Sequence, residues 1–265
     1  MTDTLKFDVQ DGVGWIVLNR PEARNAMNAE MREAFLAAFA RCGEDAEIRA
    51  VVLTATGRGF CTGADLSGSR AATGAAGPSH PGATRAAMQP SQRVIRAIWE
   101  CEKPVIAGVN GVAAGLGAHL AYACDLVVAS DEARFIEVFV RRGIALDAGG
   151  GFLLPRHIGL HRAKELVFFG DELSASDAER LGLVNRVVPA AELEEALRAW
   201  GKRLAEGPTF AIGLSKRLLN RSLQADMDTL FAEEAFTQAL VANSEDMREG
   251  IRSFMEKRSP KFSGR

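Results

Sequence analysis

The chain has 265 residues, 47% hydrophobic and 25% charged, an ordinary balance for a soluble globular protein. Lys and Arg number 32 against 34 Asp and Glu, so the net charge of −2 gives no general attraction to nucleic acid or to an anionic membrane. The four cysteines and four histidines are scattered without a CxxC pair or a Cys/His cluster, which argues against a metal site or a disulfide framework. MTDTLKFDVQ carries no signal-peptide pattern and no apolar run is long enough to span a bilayer, so a reduced, cytoplasmic setting is expected.

LKFDVQDGVGWIVLNR (5–20) reads as two short strands around Asp11-Gly12, a hairpin signal ended by Pro21. Asn28 is placed to cap a helix over 29–42, where Met31, Phe35, Leu36 and Phe39 share one face. RAVVLTAT (49–56) is a buried-strand run closed by Gly57 and Gly59. The Gly-, Ala-, Ser- and Pro-rich stretch 67–90 has little to bury and is expected to be a mobile loop. A helix is expected over 94–102, a strand over 103–111, a helix over 115–124 and a strand over 125–130. This recurrence argues for an α/β architecture. After Pro189 helix follows helix through residue 256. Leu218, Leu219, Leu230, Phe231 and Phe236 exceed what such a small unit buries alone, so they are expected to pack on the main body or another subunit.

Two loops share a design. RGFCTGADL (58–66) follows a strand, and NGVAAGLGAHL (110–120) follows a strand and opens a helix. Glycines let backbone N–H groups approach a ligand, and a helix N-terminus presents unpaired donors. Two such donors converging on one carbonyl oxygen form an oxyanion hole, each contributing about 3 kcal/mol in a transition state. A third run, GIALDAGGG (143–151), holds a lone carboxylate, Asp147, in apolar surroundings. It reads as a turn on its own terms, or as an acid–base group with a raised pKa.

RPEARNAMN, RGFCTGADL, KPVIAGVNGVAAGLGAHLAYACDLVVAS, GIALDAGGGFLLPRHIG and LSASDAERLGLVNRVV, in this order over nearly the whole chain, resemble the crotonase, or enoyl-CoA hydratase/isomerase, superfamily. The resemblance implies a spiral of ββα repeats over residues 1–200, binding acyl-CoA and catalysing, and a helical trimerisation region over 201–265. It implies an acyl-CoA substrate, a homotrimer or dimer of trimers, and no cofactor or metal beyond the coenzyme A of the thioester. It assigns the oxyanion hole to the N–H groups of Ala64 and Leu116, where the family usually has glycine at the second position. It places Ala23, Arg24, Asp65 and Leu66 near the CoA moiety; Arg24 also reads as a solvated loop residue and Asp65 as a loop brace.

Family hydratases use two glutamates, which the resemblance puts at positions 119 and 139. Here they are His119 and Phe139. Phenylalanine transfers no proton and dries the pocket, which Leu116 also lines. Glu137 lies two residues from the anchor position and reads as a solvent-facing or ion-paired residue. His119 reads equally as a proton donor or as a packed histidine. Asp147 is then the one carboxylate in a matching motif. Some family isomerases carry an aspartate in this loop, and NGVAAG, LLPR and the tail REGIRSFMEKRSPKFSGR most resemble the type acting on the ring epoxide of phenylacetyl-CoA.

The expected function is therefore an acyl-CoA isomerase that shifts a double bond or rearranges a ring epoxide through a thioester enolate, with Asp147 as its single acid–base group. The alternatives are an enoyl-CoA hydratase of fatty acid oxidation and a non-catalytic acyl-CoA-binding protein. Asp125 and Cys61 read as structural. Lys257, Lys261 and Phe262 read as a solvated tail, with a reach towards CoA as the alternative.

Overall fold

The computed structural model describes residues 3–67 and 81–265. Strands β1 (Leu5–Gln10) and β2 (Val13–Leu18) form the expected antiparallel hairpin, with Asp11 and Gly12 both at positive φ in its turn. Helix α1 (Ala29–Glu44) starts where the Asn28 side chain accepts from the Met31 N–H at 2.8 Å, and it buries Met31, Phe35 and Phe39. Strands β3 (Ala50–Ala55) and β4 (Gly59–Cys61) follow.

Helix α2 (Pro81–Trp99) overturns part of the expected loop. Proline at the first helical position costs no hydrogen bond. The last turns bury Val94, Ile95 and Ile98, so burial at one end carries a helix into a segment of weak local pattern. Residues 68–80 of that expected loop lie outside the described residues.

The stretch 103–111 and its continuation give two strands, β5 (Val105–Val109) and β6 (Val112–Ala114), before helix α3 (Leu116–Ala123). Then come β7 (Leu126–Ser130), β8 (Arg134–Ile136), α4 (Gly150–Ile158), α5 (Leu160–Phe169), β9 (Glu172–Ser174), α6 (Ala175–Arg180) and β10 (Arg186–Val188). The large sheet has strand order β1-β2-β3-β5-β7-β10 and the small one β4-β6-β8-β9. Beyond the β1/β2 hairpin the large sheet is parallel, as are β4, β6 and β8. Each turn of chain thus gives one strand to each sheet: β3 then β4, β5 then β6, β7 then β8. That is a spiral of ββα repeats with α3 held between the layers.

Helix α7 (Leu193–Ala205) lies on the large sheet, where Leu193 and Leu197 pack with Val52, Ile106 and Val128. The boundary expected at residue 200 falls inside it. Helices α8 (Thr209–Ser222), α9 (Met227–Val241) and α10 (Glu245–Met255) complete the chain. Lys216 of α8 reaches Asp125 at 2.8 Å, and the same carboxyl oxygen accepts from the Val105 N–H at 2.7 Å. Asp125 thereby ties α8 to the edge of β5. No helix among the described residues is long and apolar enough to cross a membrane.

Candidate active site

The two glycine loops meet. Gly63 follows β4 with φ +103, and a methyl built on it would fall 3.1 Å from the Ala114 carbonyl oxygen and 3.8 Å from the Leu116 nitrogen. Gly117, in the first turn of α3, lies closer still: a methyl there would be 2.0 Å from the Cys61 carbonyl oxygen. Only glycine permits this approach, which brings the Ala64 loop against the start of α3. The Met27 N–H donates to the Gly63 carbonyl and the Asp65 N–H to the Met27 carbonyl, so the loop is stitched on both sides of Ala64. Gly115 at the N-cap makes no side-chain cap, and neither Ala64 nor Leu116 donates to another backbone carbonyl among the described residues. Both N–H groups therefore remain available as donors.

The anchors of this loop were only partly readable. Arg20 donates to Asp65 at 2.9 Å and to the Ala26 carbonyl at 2.6 Å. Hydrogen bonds from Ser67, then from Arg20, lower the Asp65 carboxyl to about 2. Asn25, unremarked in the sequence, is fully buried; it accepts from the Arg20 N–H and donates to the Thr56 and Gly59 carbonyls. Its signal was a polar residue set in the arginine-rich turn before Met27. Ala23 closes a short helical turn and Arg24 follows it, exposed and at positive φ. Leu66 is half exposed at the edge of the undescribed segment. Burial pushes the Cys61 thiol up to about 12, which makes it inert packing rather than a nucleophile. The Phe262 carbonyl accepts from Arg49, so this part of the tail folds back on its own chain.

All eight residues of α3 are buried, His119 among them. Its Nε2 lies 3.1 Å from Glu137 Oε2, and its ring stacks on Phe139 at 5.4 Å and 13°. Phe139 also lies 3.5 Å from a methyl built on Gly115. Glu137 and Phe139, two residues apart, both reach His119 from the segment following β8. A second buried carboxyl, Glu137, thus stands beside the imidazole. Of the two expected readings of Glu137, solvent-facing or ion-paired, the first fails: Glu137 is buried, and its partner is His119.

Asp147 stands in a turn with Ala148 and Gly149 at positive φ, just before α4. It is half buried and makes no side-chain hydrogen bond among the described residues. Desolvation raises its pKa; the neighbouring His119 counteracts this and Glu137 adds to it. The Gly150 N–H donates to the Asp147 carbonyl, and a methyl on Gly150 would fall 2.4 Å from His119 Nε2. The Asp147 turn thus sits directly on the imidazole.

This arrangement, a half-buried acid on a turn packed against His119 of α3, sits on a fold matched along its length by known proteins. The model of the enoyl-CoA hydratase/isomerase family matches residues 8–265. The chain belongs to that family. It is 40% identical to a probable enoyl-CoA hydratase of Rhodobacter capsulatus, over 99% of this chain and 98% of that one. It is 37% identical to the 1,2-epoxyphenylacetyl-CoA isomerase of Escherichia coli over the full length of both. The solved enoyl-CoA hydratase/isomerase of Cupriavidus metallidurans superposes with a TM-score of 0.93 at 38% identity, covering 100% of this chain and 97% of that one. The fold is the crotonase fold, and acyl-CoA metabolism is the family's territory.

Proposed function

We propose that this family member is an acyl-CoA isomerase that moves a double bond, or rearranges a ring epoxide, through a thioester enolate. The observation that carries the reading is Asp147, a half-buried carboxyl with no hydrogen-bonding partner among the described residues and a raised pKa, on a turn packed over α3. A carboxyl whose pKa is raised by its surroundings is suited to take and return protons. The N–H groups of Ala64 and Leu116 would hold the thioester oxygen as it becomes an enolate, a stabilisation worth about 3 kcal/mol per donor. Phe139 and Leu116 would line the acyl pocket, and Ala23, Arg24, Asp65 and Leu66 would border the CoA. The full-length likeness to an epoxyphenylacetyl-CoA isomerase supports the reading.

Hydration of an enoyl-CoA is the second reading, favoured by the buried His119–Glu137 pair and by the hydratase names among the relatives. A homotrimer is proposed because α9 and α10 leave Phe231, Phe236, Leu240 and Phe254 exposed on one chain. A cytoplasmic location fits four cysteines that are all free.

The test offers β,γ-unsaturated, α,β-unsaturated, dienoyl and epoxyphenylacetyl thioesters of CoA and reads product mass. Conversion without a mass change supports isomerisation. Gain of one water from the α,β-unsaturated thioester alone establishes the hydratase instead. Tight binding with no conversion of any of the four leaves an acyl-CoA-binding protein.

A further inference from the structure

The geometry points to His119 as a second proton-transfer group in this site, with Glu137 as the residue that fixes its ring. The inference rests on the enolate reading and gives Asp147 a partner.

Three observations carry it. His119 and Glu137 are both buried and bonded at 3.1 Å, yet each keeps one buried polar atom without a partner among the described residues, His119 Nδ1 and Glu137 Oε1. A buried polar atom left without a partner is costly, and native chains tolerate it where the group has work to do. Packing alone gives no reason for an ionisable pair here.

The second observation is position. His119 lies one helical turn from Leu116 on α3, and helical side chains lean towards the N-terminus of their helix. Phe139 spans from the His119 ring to Gly115, and on the other side Gly150 of the Asp147 turn packs on the imidazole edge. His119 therefore stands between the free donors of α3 and the Asp147 turn.

The third is orientation. With the Nε2 proton donated to Glu137, the ring is held in one pose and Nδ1 is left for chemistry. The same logic orients the histidine of a hydrolase triad through its carboxylate. Glu137 touches no reacting atom in this scheme and is a positioning residue.

The step balances. The Asp147 carboxylate takes a proton from the saturated carbon next to the double bond. The C–H electron pair enters a conjugated enolate whose charge rests on the thioester oxygen. The His119 imidazolium then gives its Nδ1 proton to the far end of that system, and the enolate pair forms the new C–H bond. The double bond has moved, Asp147 holds one proton more and His119 one fewer, and return of that proton from Asp147 to His119 resets the site.

The experiment is a single turnover of β,γ-unsaturated hexenoyl-CoA in heavy water, with product deuterium read by mass spectrometry beside steady-state kinetics. A lone carboxyl would return much of the hydrogen it removed. Two groups deliver about one solvent deuterium per product in the wild type. His119→Gln is expected to lower kcat about hundredfold, to leave KM within about twofold, and to retain substrate hydrogen in its residual product. Glu137→Gln, isosteric and still able to hydrogen-bond, is expected to lower kcat about tenfold with KM unchanged. Should His119→Gln fail to fold, Glu137→Gln carries the test. Wild-type kcat in Glu137→Gln overturns the proposal, as does a rate loss in His119→Gln with unchanged deuterium content. Asp147→Asn separates the two claims. If it turns over at the wild-type rate, the enolate reading itself fails. If it is dead while both other variants behave as wild type, only the role of His119 and Glu137 falls.

Discussion

Around α3 the chain encloses polar chemistry in a tight apolar shell, whereas along α9 and α10 it turns large apolar side chains outward. Every residue of α3 is buried, yet α9 buries none of its own. In the first region, function depends on a few atoms held to within a fraction of an ångström. In the second it depends on area, and single atoms matter little. Substitutions should therefore act by clash and charge near α3 and by surface complementarity along α9 and α10.

The largest effect on stability is expected from Gly117→Ala. Its methyl would lie 2.0 Å from the Cys61 carbonyl oxygen, a backbone atom with no room to give. A cost of about 3 kcal/mol and a Tm lower by about 10 °C follow, with activity lost as the Ala64 loop is forced off α3. The same change at Gly43 of α1, where nothing lies within 4 Å, should instead stabilise by about 0.5–1 kcal/mol. Equal thermal shifts at the two sites would break the distinction between a clash-limited site and an open one.

Lys216→Met should come next. It takes a buried ammonium away from the partly exposed Asp125 carboxylate, which keeps the Val105 N–H, and should cost about 1 kcal/mol in denaturant unfolding. Unchanged stability would mean that α8 is held by its apolar contacts alone. Along the exposed helices, Phe236→Glu should leave the fold intact but shift the particle to a smaller mass in light scattering. Phe236 is 76% exposed on one chain, and the proposed trimer would cover it with a neighbouring subunit. An unchanged mass would remove α9 from the subunit contact.

The smallest effect separates stability from activity. Burial raises the Asp147 pKa above its ordinary 3.8, so within the window above that value the folded chain binds more protons than the unfolded one. Stability then falls as pH rises through the window, and the penalty is complete above it. Asp147→Asn removes the penalty, so the variant should melt slightly above the wild type at neutral pH and level with it well below pH 3.8. A lower Tm at neutral pH would contradict a desolvated carboxyl.

The two regions also differed in how far they could be read. The α1 helix was legible because its cap and apolar face are local, and the hairpin because Asp11-Gly12 states its own turn. The glycine loops were legible through their motifs. The last turns of α2 were legible as the expected 94–102 helix, but its first half was not, since it is Gly-, Ala- and Pro-rich and the burial of Val94 and Ile98 at its far end sustains it. The His119–Glu137 pair was missed for a tertiary reason. The partners lie 18 positions apart, and only the approach of the segment after β8 to α3 joins them. The exposure of Phe231 and Phe236 was foreshadowed by an apolar content too large for the helices alone, while the geometry of any partner surface left no trace in spacing.

The most direct test of the enolate account is hydrogen exchange at the acyl carbon of a bound, saturated acyl-CoA in heavy water, comparing wild type with Asp147→Asn. The account predicts steady exchange in the wild type and a rate lower by at least about hundredfold in the variant, with acyl-CoA affinity within about threefold. Exchange at the wild-type rate without the Asp147 carboxyl would contradict it.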